Sequence, residues 1–113
     1  MAVVREDIKE ELLKDFKEVC ESMGGNFKVG LTNKAICSVE GDEGDAIEIL
    51  FSPDDLSLSV MRTYGKMMTR IHIDGINSIT SKYPELGMKI ESEGGSTIDI
   101  DHKKINAIIY TSH

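Results

Sequence analysis

The sequence predicts an α+β fold: a two-layer sandwich in which a long N-terminal helix and a short second helix cover one face of a mostly antiparallel sheet. Three observations lead there. Apolar residues recur with the helical period over residues 4 to 23, the period then drops to that of a strand, and the connections between later apolar runs are short and rich in turn formers. Links that short favour antiparallel neighbours, because a parallel pair needs a long crossover.

The first element is the firmest. Val4, Ile8, Leu12, Phe16, Val19, Cys20 and Met23 share one helical face. Glu6, Asp7, Glu10 and Glu11 crowd its first turns, where the positive end of the macrodipole favours them, and Gly24-Gly25 supplies a left-handed cap. Alternation then begins with Phe27, Val29 and Leu31. It continues through "AICSV", through Ile47, Ile49 and Phe51, and through Leu56, Leu58 and Val60. Four short strands joined by "TNK", "EGDEGD" and "SPDD" make a meander.

Residues 60 to 73 satisfy both periods, Val60, Tyr64, Met67 and Ile71 as a helix and Met67, Thr69, Ile71 and Ile73 as a strand. A strand over 67–73 is expected, since Gly65 inside a helix costs ~1 kcal/mol and "TRIHI" suits a pleated surface. Met61, Met67 and Met68 then fill gaps in the core or line an adaptable binding surface, with the core favoured. Asp74 precedes "GINSITSKY", which places Ile76, Ile79 and Tyr83 on one face ahead of Pro84 and reads as the N-capped second helix. A hairpin, "MKIES" and "STIDID", turns at Gly94-Gly95. The closing "INAIIYT" is apolar on both faces and suits a central strand.

A chain of 113 residues is expected to fold as a single domain, 1–113, and to bury enough surface to do so without staples. At 40% apolar and 29% charged its composition is that of a globular protein. No basic region and apolar run open the chain, and no apolar stretch approaches the ~18 residues that cross a bilayer, so a cytoplasmic protein without membrane contact is expected. In a reducing cytosol Cys20 and Cys37, which lack any ligand spacing, are expected to be buried, reduced and unpaired. Glutamine is absent and isoleucine abundant, a thermophilic tendency that six methionines oppose.

The net charge of −7 is unevenly spread. Residues 1–60 hold 14 acids against 6 bases, a balance of −8, and residues 61–113 hold 6 against 7, a balance of +1. No basic stripe interleaved with aromatics is present, which argues against nucleic acid and against anionic membrane surfaces. The acidic first half would steer the chain towards basic partners.

Chemistry has few places to reside. Residues 38 to 55 hold seven carboxylates and neither lysine nor arginine. If residues 46–51 are a strand, Glu40, Asp42, Glu43 and Asp45 lie roughly 20 Å from Asp54 and Asp55 and cannot share an ion with them. The calcium-loop spacing also fails: Gly44 falls at the third position from Asp42 and Pro53 at the twelfth.

In the last hairpin, a three-residue loop that pairs Ile90 with Ile100 sets Lys89 against Asp101 and Glu91 against Asp99. Such a carboxylate pair is a candidate acid/base or metal site, with a solvated surface pair as the plainer reading. His72 joins Arg70 and Asp74 on the polar face of "RIHID", where a surface salt pair is expected. Glu91, Asp99, Asp101 and His72 are therefore the catalytic candidates. No cofactor and no metal site is expected, since GxGxxG, Walker, HExxH and GxSxG patterns are all missing.

The expected function is a small acidic protein-binding or assembly module that meets a protein partner or forms a homodimer, with no small molecule indicated. The alternative is a metal-dependent or carboxylate-based enzyme centred on the last hairpin. In element order alone, helix then three-strand meander, the first 60 residues resemble the small acidic secretion chaperones, without a shared motif or a matching C-terminal helix.

Overall fold

The computed structural model of the chain describes residues 2–40, 44–81, 87–101 and 105–108, with the side chains of 7–40, 44–81 and 87–100. The described residues form an α+β fold in which every strand pairing is antiparallel. One helix, α1 (Ala2–Ser22), precedes nine strands: β1 (Asn26–Val29), β2 (Ala35–Glu40), β3 (Ala46–Ser52), β4 (Ser57–Tyr64), β5 (Met67–Ile73), β6 (Ile76–Ser81), β7 (Gly87–Ser92), β8 (Thr97–Asp101) and β9 (Ile105–Ile108). They form two meanders, a five-stranded sheet β1-β2-β3-β4-β5 and a four-stranded sheet β6-β7-β8-β9. Two sheets thus replace the single sheet expected, and β9 lies at an edge of the described second sheet instead of its centre.

The expected second helix is a strand. β6 carries a bulge between Ile76 and Ser78 in its pairing with β7. In a regular strand Ile76 and Ile79, three apart, would point to opposite faces. The extra residue resets the alternation, and both isoleucines are buried. Bulged strand and short helix therefore present the same spacing, and the β-branched run decides for the strand.

Alternation elsewhere sorts the side chains as expected. Ala35, Cys37, Val39, Ile47, Ile49, Phe51, Leu58, Val60 and Ile73 face inward from the first sheet, and Ile76, Ile79, Met88, Ile90, Ile98 and Ile100 from the second. They join Leu12, Phe16, Val19 and Cys20 of α1, and Met23 just after it, in one continuous buried cluster. α1 packs on β6 and also reaches β1, β2 and β7, so it bridges the two sheets. At the switch between sheets Gly75 adopts φ +69°. There the Ile76 N–H donates to the Leu56 carbonyl at 2.8 Å and the Glu93 N–H to the Gly75 carbonyl at 2.9 Å.

α1 ends as its glycines require. Gly24 sits at φ +77°, the Gly25 N–H donates to the Cys20 carbonyl at 2.9 Å and the Gly24 N–H to the Glu21 carbonyl at 3.1 Å, the two bonds of a Schellman cap. The helix begins at Ala2, so its first turn holds no acid; Glu6 to Glu11 lie further in.

Cys20 and Cys37 are fully buried, as their positions on the helix face and in a core strand predict, but they are bonded to each other. The last turn of α1 docks on the inner face of β2 and brings their Cα atoms to 5.8 Å, within the range a disulfide spans. The expectation of two reduced thiols is corrected by this packing. Gly25 lies directly over the bond: a Cβ there would stand 2.8 Å from Cys37 Sγ and 2.9 Å from Cys20 Sγ.

On α1, burial raises the pKa of Asp15 above the ordinary 3.8, with Glu11 and Glu18 adding to the rise and Lys14 opposing it. The folded state then holds this proton more tightly than the unfolded one. The resulting penalty is absent well below the unfolded pKa and fully present once pH passes the raised folded value. Asp15→Asn is accordingly expected to raise Tm at pH 7 and to leave it unchanged at pH 3, which thermal melts at the two pH values check.

Candidate functional site

The register of the last hairpin separates the predicted carboxylate pair. Lys89 lies opposite Asp99, Glu91 opposite Thr97 and Gly87 opposite Asp101. The loop has three residues as expected, but they are Glu93, Gly94 and Gly95, one position earlier. Gly95, at φ +87°, takes the left-handed third position that such loops require. The Ser92 hydroxyl accepts from the Ser96 N–H at 3.1 Å and fixes the closure. Both registers pair apolar with apolar residues, so the hydrophobic pattern cannot choose between them; the left-handed position does.

Asp99 is half-buried, and its Oδ1 has no hydrogen-bond partner among the described residues. The Asp101 side chain lies outside the described residues. His72 belongs to the first sheet and Glu91, Asp99 and Asp101 to the second, so no strand pairing brings them together.

In the acidic stretch, residues 41–43, and with them Asp42 and Glu43, lie outside the described residues. Asp45 is buried and its Oδ2 accepts from the Arg62 guanidinium at 3.2 Å. Asp54, beyond the other end of β3, faces Lys9 at 3.7 Å. Among the described residues no three acids, histidines or cysteines stand close enough to hold a metal ion. No described helix is long and apolar enough to cross a membrane.

The polar constellation with the most defined geometry lies on the outer face of the five-stranded sheet. His72 pairs across the ladder with Ser59 of β4. Ser59 Oγ stands 2.7 Å from His72 Nδ1, and His72 Nε2 stands 3.1 Å from Asp74 Oδ1. The expected His72–Asp74 contact is present, and Ser59 extends it. Nothing local in the sequence points to Ser59, thirteen residues from His72; the signal is the β4–β5 register. Beside it lies a depression of about 350 Å³ lined by Ile36, Glu48, Leu50, Ser59, Met61 and Arg70.

Beyond this face the β4–β5 hairpin continues as an arm. Gly65 at φ +60° begins its two-residue turn, as in a II′ hairpin. Tyr64, Met67 and Met68 are 50%, 72% and 66% exposed, so Met67 and Met68 are surface residues and not core fillers. Residues 61–73 carry Arg62, Lys66 and Arg70 and no carboxylate, a locally basic element on an acidic protein. β5 ends the described sheet order, so among the described residues one edge of this seven-residue strand has no strand neighbour. Comparison with protein-family models, curated proteins and solved structures found no match to this chain.

Proposed function

We propose that this protein is a small binding or assembly module that acts through β5, with a second copy of the chain as its first partner. The observation that carries this reading is an edge strand whose Met67 and Met68 are 72% and 66% exposed. An open edge offers unmet N–H and C=O groups, and proteins that keep such a strand monomeric place charges or proline along it. Here β5 carries one charge, Arg70 at its centre, and the hairpin tip presents methionines beside Lys66.

A two-fold pairing centred on Arg70 would oppose two guanidinium groups, whereas one centred on Thr69 sets Met67 against Ile71 and Met68 against Arg70 of the second copy. The second register gives one apolar row and avoids the like-charge contact. Lys66, Arg70 and the fixed Arg62 also make an acidic extended segment of another protein a suitable alternative partner.

Sedimentation velocity over a range of concentrations tests the reading. The wild type is expected to dimerise, and Met67→Lys with Met68→Lys to run as a monomer whose Tm matches that of the wild type diluted below its dimerisation range, because both side chains are solvent-exposed. A wild type that stays monomeric at high micromolar concentration would defeat the homodimer.

We place the module in the cytoplasm. A buried disulfide inside a cell fits a hyperthermophilic source, where intracellular disulfides persist, and the absence of glutamine and the wealth of isoleucine point the same way. Thiol trapping during lysis checks this, with a bonded Cys20–Cys37 pair as the expected product.

A further inference from the structure

We propose that Ser59 is a nucleophile activated by His72, and that the site cleaves small esters of apolar carboxylic acids. The proposal stands on the hydrogen-bonded chain and the depression beside it, and is independent of pairing at the β5 edge.

The contacts fix the proton positions in the neutral ring. An ionised Asp74 only accepts, so His72 Nε2 at 3.1 Å carries the hydrogen. Nδ1 is then the lone-pair nitrogen, and Ser59 Oγ, 2.7 Å away, donates to it. A hydroxyl aimed at a base that a carboxylate orients from its far side is the arrangement of a serine nucleophile. The geometry is also held, since Ser59 and His72 are direct cross-strand partners within a ladder of seven pairs.

Ser59 opens into the depression of about 350 Å³, in the lower part of the range that takes small molecules. Ile36, Leu50 and Met61 make it apolar enough for a short acyl chain. β4 lies between β3 and β5, so its amides serve the ladders and do not form an oxyanion hole. Arg70, the cation among the lining residues, is the donor for the charge that develops on the carbonyl oxygen.

The steps balance. Ser59 Oγ bonds to the ester carbonyl carbon as its proton passes to His72 Nδ1. The imidazolium, steadied by Asp74, returns that proton to the leaving oxygen as the C–O bond breaks and the alcohol departs. Water then attacks the acyl-serine with His72 again taking the proton, releasing the carboxylic acid and restoring the hydroxyl.

Hydrolysis of 4-nitrophenyl butyrate by the full chain, read with adduct mapping by a fluorophosphonate, tests the proposal. The wild type is expected to turn over above buffer and to carry the adduct on Ser59. Ser59→Ala should fall to the buffer rate, and His72→Ala should lose roughly 10²-fold, both with wild-type melting curves. Asp74→Asn should lower kcat with KM unchanged. Turnover that survives Ser59→Ala, or a wild type with neither turnover nor adduct, overturns the assignment.

Discussion

Removing the Cys20–Cys37 bond is expected to cost about 3 kcal/mol of stability, and to lower Tm by on the order of 10 °C. The bond spans a sequence separation of 17, and cross-linking a loop of that length removes about this much conformational freedom from the unfolded chain. It also ties the last turn of α1 to β2, next to the Schellman cap, so its loss frees the helix end that bridges the two sheets. Cys20→Ala with Cys37→Ala tests the size of the effect by denaturant titration. Comparing oxidised and reduced wild type separates the crosslink from the packing, because reduction keeps both sulfur atoms in the core. Equal stability of the two wild-type forms would mean that the contact contributes packing alone. Unmodified thiols in the intact protein, trapped under denaturing conditions, would remove the bond itself.

The pairing is invisible in the sequence because disulfides are chosen by Cα proximity. Two cysteines with no motif give no distance until α1 is laid on β2. Other elements are legible for a physical reason: where one face is buried, burial imposes a period, and the period is readable over α1 and over β2 to the first half of β4. The arm's own strand was legible through its β-branched residues and Gly65.

Legibility failed where two structures share one pattern. At β6 a bulge makes Ile76 and Ile79 mimic helical spacing. In the last hairpin two registers both match apolar with apolar, and only the need for a left-handed Gly95 separates them. That single shift moved Glu91 away from Asp99, so the carboxylate site inferred from pairing dissolved with the register. His72 stands out in the sequence beside its neighbours on β5. Its partner Ser59 does not, because a cross-strand contact depends on which residues face each other across a turn, here Gly65-Lys66, and not on any local motif.

Phe16→Ala should cost about 4 kcal/mol of stability. Phe16 is fully buried on α1, its ring centre 6.1 Å from that of Phe27 on β1 and 5.6 Å from that of Phe51 on β3. Truncation removes the transfer energy of a phenyl ring and leaves a void between the helix and two strands that are held by the ladder and cannot collapse into it. A loss of that size is a large part of the 5–15 kcal/mol typical of a domain.

The distribution of the damage is more informative than its amount. α1 touches the first sheet through β1 and β2 and the second through β6 and β7, and all its described buried residues belong to the one core cluster. If residues 1–113 fold as a single domain, weakening the helix against the first sheet must weaken the second equally. Native-state hydrogen exchange on Phe16→Ala reads this directly, through the amides of β3 and of the β7–β8 pairing. Their opening free energies are expected to fall together and by the same amount. Protection lost in β3 and retained between β7 and β8 would show two units that unfold separately, with the helix belonging to the first.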